Sequence, residues 1–106
     1  MVNFDARRGN HGELTLEVGG ELDWDAVLTL EPHWESAIDS GDLTEVTIDL
    51  TRVRFVDSTG ISLLTSAVER ARARGAEVRI LKPEAQVFRI FEVVGIDDLL
   101  PFVEGA

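Results

Sequence analysis

The sequence predicts an α/β fold, a mixed β-sheet of four to five strands with helices packed mainly on one face, formed by a single domain over residues 1–106. Three observations carry this expectation. Segments of period two and segments of period 3.6 take turns along the chain, as strands joined by helices do. Most strand segments alternate apolar with polar residues, so one sheet face should be less covered than in a doubly wound nucleotide-binding sheet. The chain also has no cysteine, and at this length it can bury an ordinary core without disulfide or zinc-thiolate support.

Val2, Phe4 and Ala6 suggest a short first strand, and Glu13-Leu14-Thr15-Leu16-Glu17-Val18 alternates strictly. The Gly9-Asn10-His11-Gly12 turn between them joins the two as a hairpin. After Gly19-Gly20-Glu21-Leu22, Asp23 and Asp25 offer helix caps, and Val27, Leu30, Trp34 and Ile38 fall on one helical stripe. Pro32 lacks an N–H and its ring crowds the Leu28 carbonyl, which predicts a kink or a delayed helix start. Ser40-Gly41-Asp42 is a stop, residues 45–50 form a third strand, and residues 58 to about 74 form a second helix ended by Gly75. Residues 77–81 read as a fourth strand. Pro83-Glu84 opens a helix carrying Val87, Ile90, Phe91 and Val94, closed by Gly95. A turn and an edge strand at 100–103 complete the reading.

Charge and composition narrow the function. Twenty Asp and Glu against ten Lys and Arg give a net charge of −10, which repels a phosphate backbone and argues against direct nucleic-acid binding. Residues 1–8 lack a signal-peptide core, and no apolar run approaches a membrane span. A soluble cytoplasmic protein without membrane insertion is expected. Arg70, Arg72 and Arg74 form a cation-rich last helical turn, the arrangement that the helix dipole favours.

The run Phe55-Val56-Asp57-Ser58-Thr59-Gly60-Ile61 changes period from strand to helix and leaves hydroxyls at the junction. Asp57 and Ser58 are both good N-cap residues, since a side-chain oxygen can accept from the orphan amides of the first turn. A plain cap is one reading. The other is a switch: a phosphoryl group on Ser58 would meet a helix N-terminus, yet would stand beside Asp57 and concentrate roughly three negative charges on one turn.

Searches for catalytic chemistry end without a constellation. Gly19-Gly20 lacks the third glycine and the lysine of a phosphate loop, and Ser58 has no glycine two residues before it, as a nucleophile elbow requires. In Asp57-Ser58-Thr59-Gly60 the glycine falls one residue too late for an aspartic-protease loop. His11 and His33 lie in different elements with no neighbouring ligand cluster, and Lys82 has no serine partner at a recognisable spacing. The reading is therefore of a non-enzyme with no metal and no cofactor.

Taken together, Gly20-Glu21-Leu22-Asp23, Val56-Asp57-Ser58-Thr59-Gly60, Val87-Phe88-Arg89-Ile90-Phe91 and Gly95-Ile96 resemble the STAS family of anti-sigma factor antagonists, in order and spacing over about residues 3–103. The resemblance implies a STAS-like sheet and a bacterial partner-switching protein of transcription regulation and stress response. In its unphosphorylated form such a protein binds an anti-sigma factor of the serine-kinase type, a histidine-kinase-like ATPase, and frees the sigma factor. Phosphorylation at the position matching Ser58 breaks that complex, and a protein serine phosphatase restores it; ATP belongs to the kinase.

The implied partner surface comprises Asp23, Trp24, Asp57, Ser58, Thr59 and Gly60. Asp23 has a helix cap as its other reading, Thr59 is either a second hydroxyl or a helix-start support, and Gly60 shapes the turn. Where the family usually carries Ser or Thr shortly after this Asp, the chain reads Trp24-Asp25-Ala26. Trp24 is thus either a partner anchor or a packing residue. Within the same family the alternatives are an accessory subunit of a membrane-transporter ATPase, where Ser58 is a contact instead of a switch, and a stressosome-like scaffold.

Overall fold

The computed structural model describes residues 2–105. Its elements are β1 (Val2–Arg8), β2 (Glu13–Leu22), α1 (Trp24–Asp39), β3 (Glu45–Val56), α2 (Ser58–Ala73), β4 (Glu77–Leu81), α3 (Ala85–Val94) and β5 (Phe102–Val103). They build one five-stranded sheet in the order β1-β2-β3-β4-β5, with β1 antiparallel to β2 and every later pair parallel. Each crossover steps the same way across the sheet, so right-handed connections deliver all three helices to one face.

Burial follows this geometry. Leu14, Leu16 and Val18 of β2, Val46, Ile48 and Leu50 of β3, and Ile80 of β4 point into one core with Leu30, Trp34 and Ile38 of α1, Leu64 and Val68 of α2, and Phe91 of α3. The intervening strand positions form a polar open face. There Arg7 pairs with Glu17 at 2.8 Å, and Arg79 bonds Thr47 Oγ1 at 3.1 Å and also pairs with Glu45.

Several boundaries differ from the sequence expectation. The third strand does not stop at residue 50 but runs to Val56. Its alternation ends there because β3 gains a residue on β2 twice: Glu17 faces Asp49 while Gly19 faces Arg52, and Gly20 faces Val53 while Glu21 faces Phe55. These bulges convert the buried spacing from two to three, at Leu50, Val53 and Val56.

Helix α1 starts directly at Trp24 and continues through Pro32 to Asp39, so the delayed start does not occur. Leu28 and Pro32 both lie on its exposed side, where water can take the place of the missing proline N–H. At the far edge, β5 is shorter than the expected 100–103. Leu100 is held in a turn by its N–H to Ile96 O, and Pro101 contributes only its carbonyl, which accepts from Ile80 N at 2.8 Å. Edge-on packing of Phe102 against Phe88 and Phe91, each at 5.0 Å between centroids, pins this short strand.

Candidate functional site

Because β2 and β3 run parallel with Leu22 beside Val56, the junctions Leu22-Asp23-Trp24 and Val56-Asp57-Ser58 emerge side by side at one end of the sheet. They are built alike. Asp23 (φ −108°, ψ −175°) and Asp57 (φ −110°, ψ −176°) are the last extended residues, and each caps the helix that follows. Asp23 Oδ1 accepts from Ala26 N at 3.0 Å, and Asp57 Oδ1 accepts from Gly60 N at 3.0 Å. Of the two candidates at each junction, the cap is therefore Asp23 and not Asp25, and Asp57 and not Ser58. Ser58 is the first helical residue, with its side chain exposed.

Asp57 also joins the two junctions. Its Oδ2 accepts from the Trp24 N–H at 3.2 Å, and its own N–H donates to the Leu22 carbonyl at 3.3 Å. One carboxylate thus holds the first turns of both helices. The close approach depends on Gly60, which is buried: a Cβ there would fall inside 3.0 Å of the Leu22 carbonyl oxygen and 2.8 Å from Val56 Cγ2. Gly60 seats α2 against β2 and presents no side chain to a partner. Thr59 is half-buried between the exposed Ser58 and the buried Gly60.

The structure brings all six residues singled out from the sequence to one place. Trp24 is 59 % exposed, which removes its packing reading; the core tryptophan is Trp34, at 2 %. Leu28, one turn along α1 and 58 % exposed, extends the apolar surface and was not foreseen. Its signal was available, since Leu28 stands four residues after Trp24 and off the Val27-Leu30-Trp34-Ile38 stripe. The carboxylates of Asp23, Asp25 and Asp57 frame this surface with negative charge.

Features outside the site have local explanations. Arg70 makes two hydrogen bonds to Asp39, at 3.0 and 2.9 Å, and Arg74 donates to the Gly41 carbonyl at 2.6 Å, so these cations tie α2 to α1 and to the loop after it. The Arg70 guanidinium bonded to Asp39 holds that carboxyl below its usual range. His11 and His33 are exposed, the latter with its ring 5.1 Å from Phe4. A groove of about 580 Å³ lined by Asn3, Gly20, Arg52, Arg54 and Glu84 contains none of the six junction residues. Among the described residues, no group of three His, Asp or Glu could hold a metal ion, and no helix is long and apolar enough to cross a membrane.

Comparison with known proteins places this architecture. Residues 6–101 match the family described as "Mlab, STAS domain", and the chain belongs to the STAS domain family. Among its relatives is the anti-sigma-B factor antagonist of Staphylococcus aureus (strain NCTC 8325 / PS 47), 31 % identical over 90 residues, covering 85 % of this chain and 82 % of that one. The anti-sigma-B factor antagonist of Listeria monocytogenes serovar 1/2a is 27 % identical over 109 residues, covering 98 % and 92 %. The fold is shared with the anti-sigma factor antagonist SpoIIAA in its unphosphorylated form, with a TM-score of 0.81, 22 % identity and coverage of 98 % and 89 %. The phosphorylated form of SpoIIAA from Bacillus superposes with a TM-score of 0.74, 21 % identity and coverage of 98 % and 92 %.

Proposed function

We propose that this protein is an anti-sigma factor antagonist working by partner switching in the bacterial cytoplasm. Unmodified, it binds an anti-sigma factor of the serine-kinase type and frees the sigma factor; phosphorylated at Ser58, it lets go. The carrying observation is the exposed Ser58 placed directly behind the shared Asp57 cap, on the same end of the sheet as the apolar pair Trp24 and Leu28. The names of the relatives support the partner class, and the existence of a phosphorylated SpoIIAA supports the modification.

In the transfer step, the Ser58 hydroxyl oxygen bonds to the γ-phosphorus of ATP held by the kinase. The bond from that phosphorus to the β–γ bridging oxygen breaks, ADP leaves, and a base of the kinase takes the hydroxyl proton. The product carries about −1.5 to −2 charges beside the Asp57 carboxylate, on a surface already framed by acids. A partner seated over Trp24 and Leu28 must then desolvate that dianion or dissociate. Hydrolysis of the phosphoserine by a protein serine phosphatase restores the hydroxyl.

The test is a binding titration with a serine-kinase anti-sigma factor, with and without ATP. Wild type should take one phosphate and lose binding, Ser58→Ala should bind and take none, and Ser58→Glu should bind weakly, since one carboxylate carries less charge than phosphate. Equal phosphate incorporation into Ser58→Ala would show the site to be wrong. Recovery of a transporter ATPase with the wild-type chain, and no binding to the kinase, would replace this reading with that of an accessory subunit.

A further inference from the structure

The carboxylate of Asp57 is committed twice, through Oδ1 to the Gly60 N–H inside α2 and through Oδ2 to the Trp24 N–H that opens α1. The second bond spans 33 positions of sequence and is made to the residue that carries the exposed indole. Ser58 follows Asp57 directly and begins α2. A phosphate on its oxygen would stand at the same helix start, where the first-turn amides are the available donors.

The geometry points to Asp57 as a positioning residue that couples the phosphorylation state of Ser58 to the seat of Trp24. This rests on the partner-switching reading above and adds its internal route. With a hydroxyl at Ser58, Asp57 is held between both helix starts and fixes the backbone of Trp24. Once the phosphoryl group has moved from ATP to the Ser58 oxygen, with ADP leaving and the hydroxyl proton passing to the kinase's base, the dianion repels the neighbouring carboxylate. The Gly60 bond lies within its own helix turn, so the bond that gives way is the longer one, at 3.2 Å, across to the Trp24 N–H. The carboxylate gives up its pairing with Trp24, and the apolar anchor loses its fixed start. The switch then acts on two parts of the surface, adding charge at Ser58 and loosening the indole beside it.

Amide hydrogen exchange followed by NMR on ¹⁵N-labelled full-length protein tests this, with phosphoserine installed at position 58 during synthesis so that no kinase is needed. The phosphoserine protein should exchange the Trp24 amide at least about tenfold faster than the hydroxyl form, the lower end of the factor for losing one hydrogen bond to a charged group. Asp57→Asn should do the same while leaving the Gly60 amide protected. Asn caps a helix as well as Asp, but it offers a single oxygen and sets an NH₂ against the other donor.

Loss of Gly60 protection together with that of Trp24 in Asp57→Asn would show that the cap itself has failed and would overturn the assignment of one oxygen to each helix. An unchanged Trp24 exchange rate in the phosphoserine protein overturns the coupling even if partner binding is lost, and the partner-switching reading survives that result. Conversely, faster Trp24 exchange with undiminished binding of the serine-kinase anti-sigma factor supports the coupling and sinks the partner-switching reading.

Discussion

Gly60→Ala is the sharpest probe of how the site is assembled, because two effects of opposite sign meet at one methyl group. As a helical residue, alanine is favoured over glycine by about 1 kcal/mol. Against this, the added Cβ lies inside 3.0 Å of the Leu22 carbonyl oxygen, 2.8 Å from Val56 Cγ2 and 3.0 Å from Leu22 Cγ. Overpacking of this kind costs about 1–3 kcal/mol, and the upper end applies because the obstructing atom is backbone at the end of β2. That carbonyl also accepts the Asp57 N–H at 3.3 Å, so relief by moving α2 disturbs the cap, worth about 1 kcal/mol more. The expected net change is a destabilisation of about 2–3 kcal/mol. With a urea m-value of about 1.2 kcal/mol/M for a chain of this size, the unfolding midpoint should fall by about 2 M with little change in slope. Ser62→Ala, at an exposed position two residues later in α2, is the propensity control and should be neutral or slightly stabilising. If Gly60→Ala unfolded at or above the wild-type midpoint, the close approach of α2 to β2 would be wrong, and with it the shared role of Asp57.

Two further substitutions test the exposed surface and the acid limb of stability. Trp24→Ala should leave urea unfolding within about 0.5 kcal/mol of wild type, since the side chain is largely exposed, yet weaken anti-sigma factor binding about 30-fold in a calorimetric titration. Undiminished affinity would remove Trp24 from the interface. Arg70→Met should alter the acid limb of stability. Its guanidinium lowers the Asp39 carboxyl in the folded state, so the unfolded chain binds that proton more readily. The resulting stabilisation is present above the usual carboxyl value of about 4 and lost as the pH falls through the lowered folded-state value. Thermal melts from pH 6 down to acid should therefore lose less stability in Arg70→Met than in wild type; identical acid limbs would refute the linkage.

How much was legible in the sequence depends on whether the signal is local. The β2 alternation, the core stripe of α1, the Gly75 and Gly95 helix ends and the Asp-Ser junction all show themselves within a few residues, because side-chain periodicity, capping and left-handed backbone are short-range requirements. The two Asp-led helix starts were legible for the same reason, and the resemblance of several separated runs pointed to them together. The extension of β3 was not, because its bulges are defined only against β2 and replace a period of two by one of three. The uninterrupted passage of α1 through Pro32 likewise depends on which side of the helix faces water.

The sequence by itself determined the order and kind of the elements, the one-sided packing, the acidic character, and Ser58 as a hydroxyl at a helix start. Only the tertiary structure decided that Asp57 caps while Ser58 is exposed, that Trp24 faces solvent while Trp34 fills the core, and that Gly60 admits α2 to the end of β2. It also decided that one carboxylate reaches the amide of a residue 33 positions earlier. The physical reason is that register between parallel strands sets which helix starts become neighbours. That register is fixed by packing over the whole sheet, and no window of sequence contains it.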